Sequence, residues 1–494
     1  MSKQKRLLTK TAFGYGLACD RLFWMYQNAR EDLPEPDEAT QAIFDQGHLI
    51  GNLAKTLYPD GIEIDWTSGH ERGIAQTDAV LAEKRPIFEA GFQHGKTHAR
   101  ADILIPAAGG RWDLIEVKSS SAVKEEHLHD VAFQKHVYQG AGLRIDRCSV
   151  MHVDKSYVRQ GMVDAGGLLA RTDVTDEIKP LEGGIPAEVK RQLRVMSRAE
   201  APDARWVALC NDCDLHPRCW AFLPEHNVFS LCAAGTKAVQ LMEAGVLRIL
   251  DIPEDFPLSE KQEIQVRCTR TGEPHIHAGG IQAFLDKLEY PLHFLDFETF
   301  MIAVPPFDDM SPYEQVPFQY SLHVVDQPAS RAQHFGYLSD GSSDPRPEIL
   351  ESLSVRLGRA GSVVAYNAPF EIRVLESCCR HFPEYAKWLG SVRERFVDLL
   401  SPFRSFHYYH PEQKGSASLK AVLPVLTGRS YKELEIADGQ AAGLRFREMA
   451  SGNTTESRKR AIRKALEKYC RQDAEGMIDI IKALQRLCPD RASS

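Results

Sequence analysis

Four cysteines place the strongest constraint on this fold, because one of them lies very far along the chain from the other three. Cys210, Cys213 and Cys219 stand in the run CNDCDLHPRCW, whereas Cys19 stands near the start. In a chain without secretory features, thiolates clustered in this way usually bind a metal ion or an iron–sulfur cluster. Four thiolates satisfy zinc as well as a cluster. A shared site would fasten the first residues to the end of the same domain.

The length of the chain predicts two or three domains, because 494 residues exceed what one ordinary hydrophobic core serves. The hydrophobic and charged fractions, 43% and 26%, are typical of globular proteins. A net charge of −8 argues against binding of nucleic acid through bulk charge, but it leaves a local basic groove open. The sequence shows no signal peptide and no apolar run long enough to span a membrane. It therefore predicts a cytoplasmic protein with reduced thiols.

Predicted strands and helices alternate in two of three parts of the chain, which indicates the α/β fold class. The first part covers residues 1–225 and ends with the cysteine segment. Residues 226–285 are mostly helical, carry no acidic cluster and predict a helical linker module. Residues 286–490 begin with the β-rich run YPLHFLDFETF and end in one long helix.

An acidic hairpin is the first candidate site. Asp102 lies in the apolar run ADILIP, and Glu116 and Lys118 lie in LIEVKSS, with the turn sequence AAGG between the two runs. Residues two apart share a face of a strand, so Glu116 and Lys118 point together. Two carboxylates suit Mg²⁺ or Mn²⁺, and a lysine can orient water or stabilise charge on a phosphate. The alternative is a solvated hairpin with a cross-strand ion pair.

Two neighbouring features strengthen this interpretation. Gln134 and Tyr138 are four residues apart and share one face of the helix predicted after the hairpin. His48 lies in a predicted upstream helix, where a lone histidine more often serves the structure than a metal. Its place before an acid–acid–lysine set makes a ligand role reasonable.

A second acidic set lies in the C-terminal part. Asp296 and Glu298 share one strand face, with their apolar neighbours packing on the other face. Glu371 lies in the first turns of a predicted helix, for which Asn367 is the predicted N-cap. Tyr469 and Asp473 are one turn apart on the last helix. Four acids can gather two metal ions for attack on a phosphodiester, with the tyrosine hydroxyl positioning water.

The first set, in this order, resembles the motifs of the PD-(D/E)XK nucleases of the RecB type over residues 1–225. The flanking cysteines resemble the iron-staple subgroup of these nucleases, which carries a [4Fe–4S] cluster, and structural zinc is the alternative. The resemblance implies a restriction-endonuclease-like fold and metal-dependent cleavage of DNA at single strands or ends. One departure is Ala101, which stands before Asp102 where the family name has proline.

The same resemblance implies a role for each residue of these motifs. Mg²⁺ or Mn²⁺ would be held by His48, Asp102, Glu116 and the Val117 carbonyl. The catalytic set would be Asp102, Glu116 and Lys118, with Gln134 and Tyr138 orienting the lysine or the DNA. The cluster would be held by Cys19, Cys210, Cys213 and Cys219.

The second set resembles the DEDD exonucleases of the ribonuclease H-like fold, in the subgroup with a tyrosine, over residues 286–490. The resemblance implies removal of nucleotides from a 3′ end. The metal ligands would be Asp296, Glu298, Glu371 and Asp473, and Tyr469 would be catalytic. Glu371 departs from the family pattern, which has aspartate there, and Asp398 is an alternative ligand.

Together these resemblances predict a two-site, metal-dependent nuclease that acts on DNA in repair or in defence against mobile elements. RNA is the alternative substrate. The rival interpretation is a nucleic-acid-binding scaffold with one active site or none. The basic stretch SRKRAIRK, residues 457–464, is either a strand-binding face or a solvated helix surface.

Overall fold

The computed structural model describes residues 6–488, and the chain forms two compact units of mixed α/β structure, which confirms the fold class. The first unit runs to Ala221 and also includes Ile302–Tyr313. The second unit comprises Phe222–Met301 and the chain from Glu314 onward. The helical stretch 226–285, predicted as a linker module, belongs to this second unit.

The first unit is built on one seven-stranded sheet with helices between its strands. Its strands are β1 (Leu8–Thr9), β2 (Ile62–Glu63), β3 (Ile87–His94), β4 (Thr97–Ala107), β5 (Arg111–Lys118), β6 (Ile145–Val153) and β7 (Leu169–Asp173). Its helices are α1 (Lys10–Ala18), α2 (Asp20–Asn28), α3 (Glu38–Thr56), α4 (His70–Val80), α5 (Glu125–Gly140), α6 (Ala165–Leu168), α7 (Thr175–Glu182), α8 (Ile185–Met196) and α9 (His216–Cys219).

The sheet of the first unit has the order β2-β3-β4-β5-β6-β7, and β1 pairs with β4. The predicted hairpin is present, because β4 and β5 pair antiparallel with Ile103 opposite Ile115. Alternate residues face different cores: Leu104 and Leu114 pack in one core with α1, α5 and α8, whereas Ile103 and Ile115 pack in another with α3. Because side chains alternate along a strand, Asp102 and Glu116 lie on the same face of the sheet as Leu104 and Leu114, which is the face covered by α1 and α5.

The second unit contains a five-stranded sheet, a short two-stranded sheet and ten helices with α-helical geometry among the described residues. Its strands are β8 (His275–Ile276), β9 (Leu292–Phe300), β10 (Val316–Val325), β11 (Gln333–Leu338), β12 (Val363–Ala365), β13 (Phe396–Asp398) and β14 (Tyr408–Tyr409). Its helices are α10 (Thr236–Glu243), α11 (Glu260–Thr271), α12 (Ala278–Leu285), α13 (Arg346–Arg356), α14 (Ala368–His381), α15 (Ala386–Arg393), α16 (Ser401–Arg404), α17 (Leu419–Thr427), α18 (Gly439–Ala450) and α19 (Glu456–Leu487).

The main sheet of the second unit has the order β11-β10-β9-β12-β13, with β9 between an antiparallel and a parallel neighbour. Leu295 and Phe297 of β9 pack against α13 and α14 on one face, as the alternation predicts. The other face packs beneath α17 and α19, through Leu292 and Phe294. Asp296, in register with these two residues, therefore faces α19.

The start of α14 differs in one detail from the prediction. Asn367, expected to cap this helix with its side chain, occupies the N-cap position with φ +82° and makes no side-chain cap. The Oδ1 atom of Asp398 instead accepts hydrogen bonds from the backbone N–H groups of Asn367, Ala368 and Leu400. Asp398 thus satisfies donors that the helix itself leaves unpaired.

None of the helices among residues 6–488 combines the length and the apolar character needed to cross a lipid bilayer.

Candidate active sites

The first site is an ion network centred on Glu116, a carboxylate that is only 1% exposed. Its Oε1 atom lies 2.5 Å from the Lys10 ammonium and 2.9 Å from that of Lys118. Its Oε2 atom accepts a hydrogen bond of 2.7 Å from Gln134. Burial opposes ionisation of Glu116, but the charges of Lys10 and Lys118 outweigh burial and lower its pKa. Glu116 is therefore held as a carboxylate between two ammonium groups.

Asp102 stands beside Glu116 in a different electrostatic state. Its Oδ2 atom accepts a 2.6 Å hydrogen bond from the backbone N–H of Val117, and its Oδ1 atom lies 4.0 Å from Lys10. Burial raises the pKa of Asp102 to about 7, and the charge of Glu116 adds to that rise. A second positive charge near Asp102 would hold it ionised, so the pair Asp102 and Glu116 fits a divalent cation.

Lys10 is a site residue that the sequence analysis missed. It is the first residue of α1, and its ammonium lies between the two carboxylates, where a metal ligated by both would also lie. Asp130 was missed as well: it precedes Gln134 by one turn of α5 and accepts a 2.6 Å hydrogen bond from Lys118. The i, i+4 spacing to Gln134 was a signal for Asp130. Lys10 carried no local signal.

The other predicted residues of the first site lie in different surroundings. Gln134 contacts Glu116 rather than Lys118, and its buried Oε1 atom has no hydrogen-bond partner among the described residues. Tyr138 is fully buried and donates to the carbonyl of Ala90, so it supports β3. His48 is exposed on α3 and belongs to no group of three metal-ligand atoms within 4.8 Å in the described part of the chain. Its ligand role stays a prediction.

The second site is a cluster of buried carboxylates beneath α19. Ligand atoms of Asp296, Glu298 and Cys470 all lie within 4.8 Å of one another, the spacing of groups that can hold a metal ion. Cys470 was not predicted, although it directly follows Tyr469; its Sγ atom lies 3.4 Å from Asp296 Oδ2. Burial, followed by the charge of Asp473, raises the pKa of Asp296 well above its ordinary value. Carboxylates grouped in this way fit a bound cation.

Glu371 and Asp473 complete the set of acids that the sequence predicted. Glu371 is 3% exposed, and its Oε2 atom has no hydrogen-bond partner within residues 6–488. Burial, followed by the charge of Asp296, raises the pKa of Glu371 well above the ordinary value. Asp473 accepts a 2.6 Å hydrogen bond from the hydroxyl of Tyr431. Burial raises the pKa of Asp473 to about 6, and the hydrogen bond from Tyr431 opposes that rise.

Two tyrosines and a lysine border these acids. Burial, followed by the charge of Asp473, raises the pKa of both Tyr431 and Tyr469, so both hydroxyls remain protonated donors. The Lys420 ammonium lies 5.2 Å from the ring centre of Tyr469 and 5.9 Å from that of Tyr431. Tyr431 and Lys420 come from a loop and from α17, which the sequence pattern did not connect to the acids.

The raised pKa values predict an unusual pH dependence of stability in metal-free protein. Between its ordinary pKa of 3.8 and its folded pKa of about 6, Asp473 holds a proton that the unfolded chain releases. Lower pH therefore favours folding by about 1.4 kcal/mol per pH unit for each such carboxyl. Buried histidines whose pKa is lowered oppose this trend in the whole protein, so the effect is measured as a difference between wild type and Asp473→Asn. We expect Asp473→Asn to melt at a higher temperature than wild type in EDTA at pH 7, and this difference to shrink as the pH falls from about 6 to about 4. A difference that stays constant from pH 7 to pH 4 would contradict the raised pKa.

Cys470 predicts a preference for softer metal ions at the second site. Burial raises the pKa of the Cys470 thiol, so its sulfur becomes a thiolate only when a metal ion displaces the proton. A thiolate is a soft ligand and favours a soft ion such as Cd²⁺ over Mg²⁺. We expect Cys470→Ser to weaken Cd²⁺ binding at least about tenfold, with Mg²⁺ binding little changed, by calorimetry and by ultraviolet sulfur–cadmium absorption. Cys232→Ser is the control, because Cys232 lies outside this group of atoms. Equal Cd²⁺ affinity in Cys470→Ser and wild type would show that Cys470 is not a ligand of the metal ion.

The four predicted cluster cysteines line one common cavity, together with Arg21 and Trp220. Burial raises the pKa of Cys213, and the charges of Cys19, Cys210 and Cys219 each add to the rise. Four thiols around one cavity suit either a zinc ion or an iron–sulfur cluster.

Comparison with known proteins gives three findings. Residues 293–418 match the family model of a domain of unknown function, DUF2779. No curated protein matches this chain. Among solved structures, the crystal structure of SSO0001 is similar over 45% of this chain and 90% of that chain, with 12% sequence identity and a TM-score of 0.25.

Proposed function

We propose that this chain is a metal-dependent nuclease with two active sites, one in each compact unit. The first unit would be a restriction-endonuclease-like, RecB-type domain that cleaves DNA at single strands or ends. The second would be a ribonuclease H-like domain of the DEDD type that acts on 3′ ends. The observation that carries this proposal is the group of acids formed by the partly buried Asp296 and the buried Glu298, Glu371 and Asp473, because carboxylates that share such a site suit divalent cations.

The residues of the first unit support their part of the proposal through charge and position. Asp102 and Glu116 would hold Mg²⁺ or Mn²⁺, which when bound activates water and stabilises charge on a phosphate. Lys118, fixed by Asp130 and Glu116, presents an ammonium beside these carboxylates. Burial opposes its charge, but Glu116 and Asp130 raise the pKa of Lys118, so it acts as a fixed cation rather than a base.

The residues of the second unit would hold the metal and position water. Asp296, Glu298 and Cys470 offer the ligand atoms that lie nearest one another, and Glu371 offers an unpartnered oxygen. Tyr469 stays protonated and can donate to a water or to a phosphate oxygen. Glu371 in place of aspartate fits this role, since its buried Oε2 atom lacks any partner in the described chain.

The four cysteines would hold an architectural [4Fe–4S] cluster, as the resemblance to the iron-staple nucleases implies, and structural zinc is the alternative. The position of all four side chains around one cavity supports a shared cofactor. Protein purified without oxygen is expected to contain iron and acid-labile sulfide and little zinc. Zinc at one equivalent without iron would reject the cluster.

The proposal is tested by digestion of end-labelled single-stranded DNA, double-stranded DNA and RNA with Mg²⁺, Mn²⁺ or EDTA. We expect metal-dependent cleavage of DNA, with nucleotides released stepwise from an end. Cleavage of RNA alone would change the substrate class. Binding of all three substrates without metal-dependent cleavage would instead favour a nucleic-acid-binding scaffold.

A further inference from the structure

A second candidate site of the C-terminal unit lies beside α19, on β10, the strand that pairs with the strand of Asp296 and Glu298. A cavity of about 530 Å³ opens between α19 and the strands β10 and β11. Its volume falls in the range of small-molecule sites, about 300–1,000 Å³. We call it the β11 groove and define it by Gln319, Ser321, Gly336, Lys464, Lys468 and Arg471.

The wall of the β11 groove is strongly basic. Lys464, Lys468 and Arg471 follow one another at helical spacing along the exposed face of α19. Neither lysine has an ion-pair or hydrogen-bond partner within residues 6–488. The one acid of the lining, Glu467, lies 3.7 Å from Arg463, outside the groove. Like charges one turn apart repel, so an anionic ligand would relieve the repulsion.

Arg471 leaves part of its guanidinium for such a ligand. Its Nε atom donates to Glu475 Oε1 at 2.9 Å, which fixes the orientation of the group on the helix. Two terminal nitrogens then remain, in the planar geometry that suits phosphate oxygens.

The floor of the groove is bare backbone at Gly336. Gly336 pairs with Ser321 across β10 and β11, and a Cβ atom there would reach only ordinary contacts of 3.4 Å or more. Any side chain longer than a methyl group at this position would project into the groove. Glycine therefore leaves room for a ligand to approach the sheet.

A buried amide indicates that the ligand carries hydrogen-bond donors as well as negative charge. Gln319 is 3% exposed and donates its Nε2 to the carbonyl of Leu466 at 3.0 Å. Gln319 is one of the residues that line the groove, and its Oε1 atom is buried without a partner among the described atoms. An unpaired buried acceptor is costly, and a sugar hydroxyl or a base amino group would satisfy it.

We propose that the β11 groove binds a nucleotide, either free or as one unit of a nucleic-acid strand. Lys464, Lys468 and Arg471 would contact its phosphate, and Gln319 would accept a hydrogen bond from its sugar or base. The inference does not depend on cleavage, because it concerns binding by side chains that the proposed cleavage does not use. At 100° per residue, Lys464 and Lys468 point well away from Tyr469 and Asp473.

The test measures binding by full-length protein in EDTA, where no metal-dependent cleavage occurs. The probes are fluorescein-labelled oligothymidylate, followed by anisotropy, and dTMP, followed by calorimetry. The variants are Lys464→Gln with Lys468→Gln, and separately Gly336→Val, which fills the groove without changing its charge. The matched control is Lys482→Gln with Arg486→Gln, which removes two exposed charges elsewhere on the same helix.

We expect the double lysine variant to weaken binding at least about tenfold relative to the control. For a strand, the slope of log affinity against log salt should fall by about 1.4, since each single-strand phosphate contact contributes about 0.7. Gly336→Val should weaken binding with the slope unchanged. Weaker oligothymidylate binding identifies a strand as the ligand, and weaker dTMP binding alone identifies a free nucleotide. Both probes binding both variants as tightly as the control would overturn the proposal.

Discussion

Replacing Glu116 by glutamine is expected to reduce cleavage at the first site about a thousandfold and to destabilise the first unit. Glu116 is the common acceptor of Lys10, Lys118 and Gln134, and it is one of the two carboxylates offered to a metal. Removing one partner of a buried ion pair leaves the other charge uncompensated, which costs roughly 3–5 kcal/mol. Cleavage is measured in an Asp296→Asn background, so that only the first site contributes, and stability by thermal unfolding in EDTA.

Two further variants make this result interpretable. Glu126→Gln on the exposed start of α5 is the matched control, and we expect wild-type behaviour from it. Lys10→Met combined with Glu116→Gln removes both charges, so it should recover much of the stability while cleavage stays lost. If folded Glu116→Gln protein cleaves DNA as fast as the wild type, the first site is not a nuclease active site.

Replacing Asp296 by asparagine is expected to abolish cleavage and metal binding at the second site, with a loss of about a thousandfold, and to raise stability in EDTA. Asp296 lies with Glu298 and Cys470 in the group of ligand atoms. Burial and the charge of Asp473 already raise its pKa, so the charged form is unfavourable in metal-free protein. A neutral amide removes that repulsion. Cleavage is measured by release of an end label, and metal binding by calorimetry with Mn²⁺. Stability is measured by thermal unfolding in EDTA.

Asp326→Asn, an exposed acid at the end of β10, is the control for Asp296→Asn. Glu116→Gln is expected to lower stability, whereas Asp296→Asn is expected to raise it. The reason is that Lys10 and Lys118 balance the charge of Glu116, whereas the carboxylates of the second site outnumber the ammonium groups near them. A lower melting temperature of Asp296→Asn in EDTA would mean that Asp296 is structurally compensated, and it would contradict the proposed metal cluster.

The local sequence pattern predicted strands, helices and turns better than it predicted contacts between side chains. The alternation of apolar and polar residues in HFLDFETF predicted strand β9 and the face to which Asp296 points. The turn sequence AAGG predicted the hairpin of β4 and β5. Both are short-range properties, because a strand period of two determines which face each side chain takes. Asn367 occupies the predicted N-cap position of α14, but its side chain does not make the capping hydrogen bond. Asp398, about thirty residues further along the chain, accepts the hydrogen bond from the backbone N–H of Asn367 instead.

The sequence by itself determined the α/β class, the hairpin, the long last helix and the acids of both candidate sites, because these follow from periodicity and residue type. Only the tertiary structure decided which charges meet. It brought Lys10 close to Asp102 and Glu116, and it brought Tyr431 into contact with Asp473 and Cys470 into contact with Asp296. These contacts depend on how helices pack on a sheet, and packing joins residues that share no local pattern.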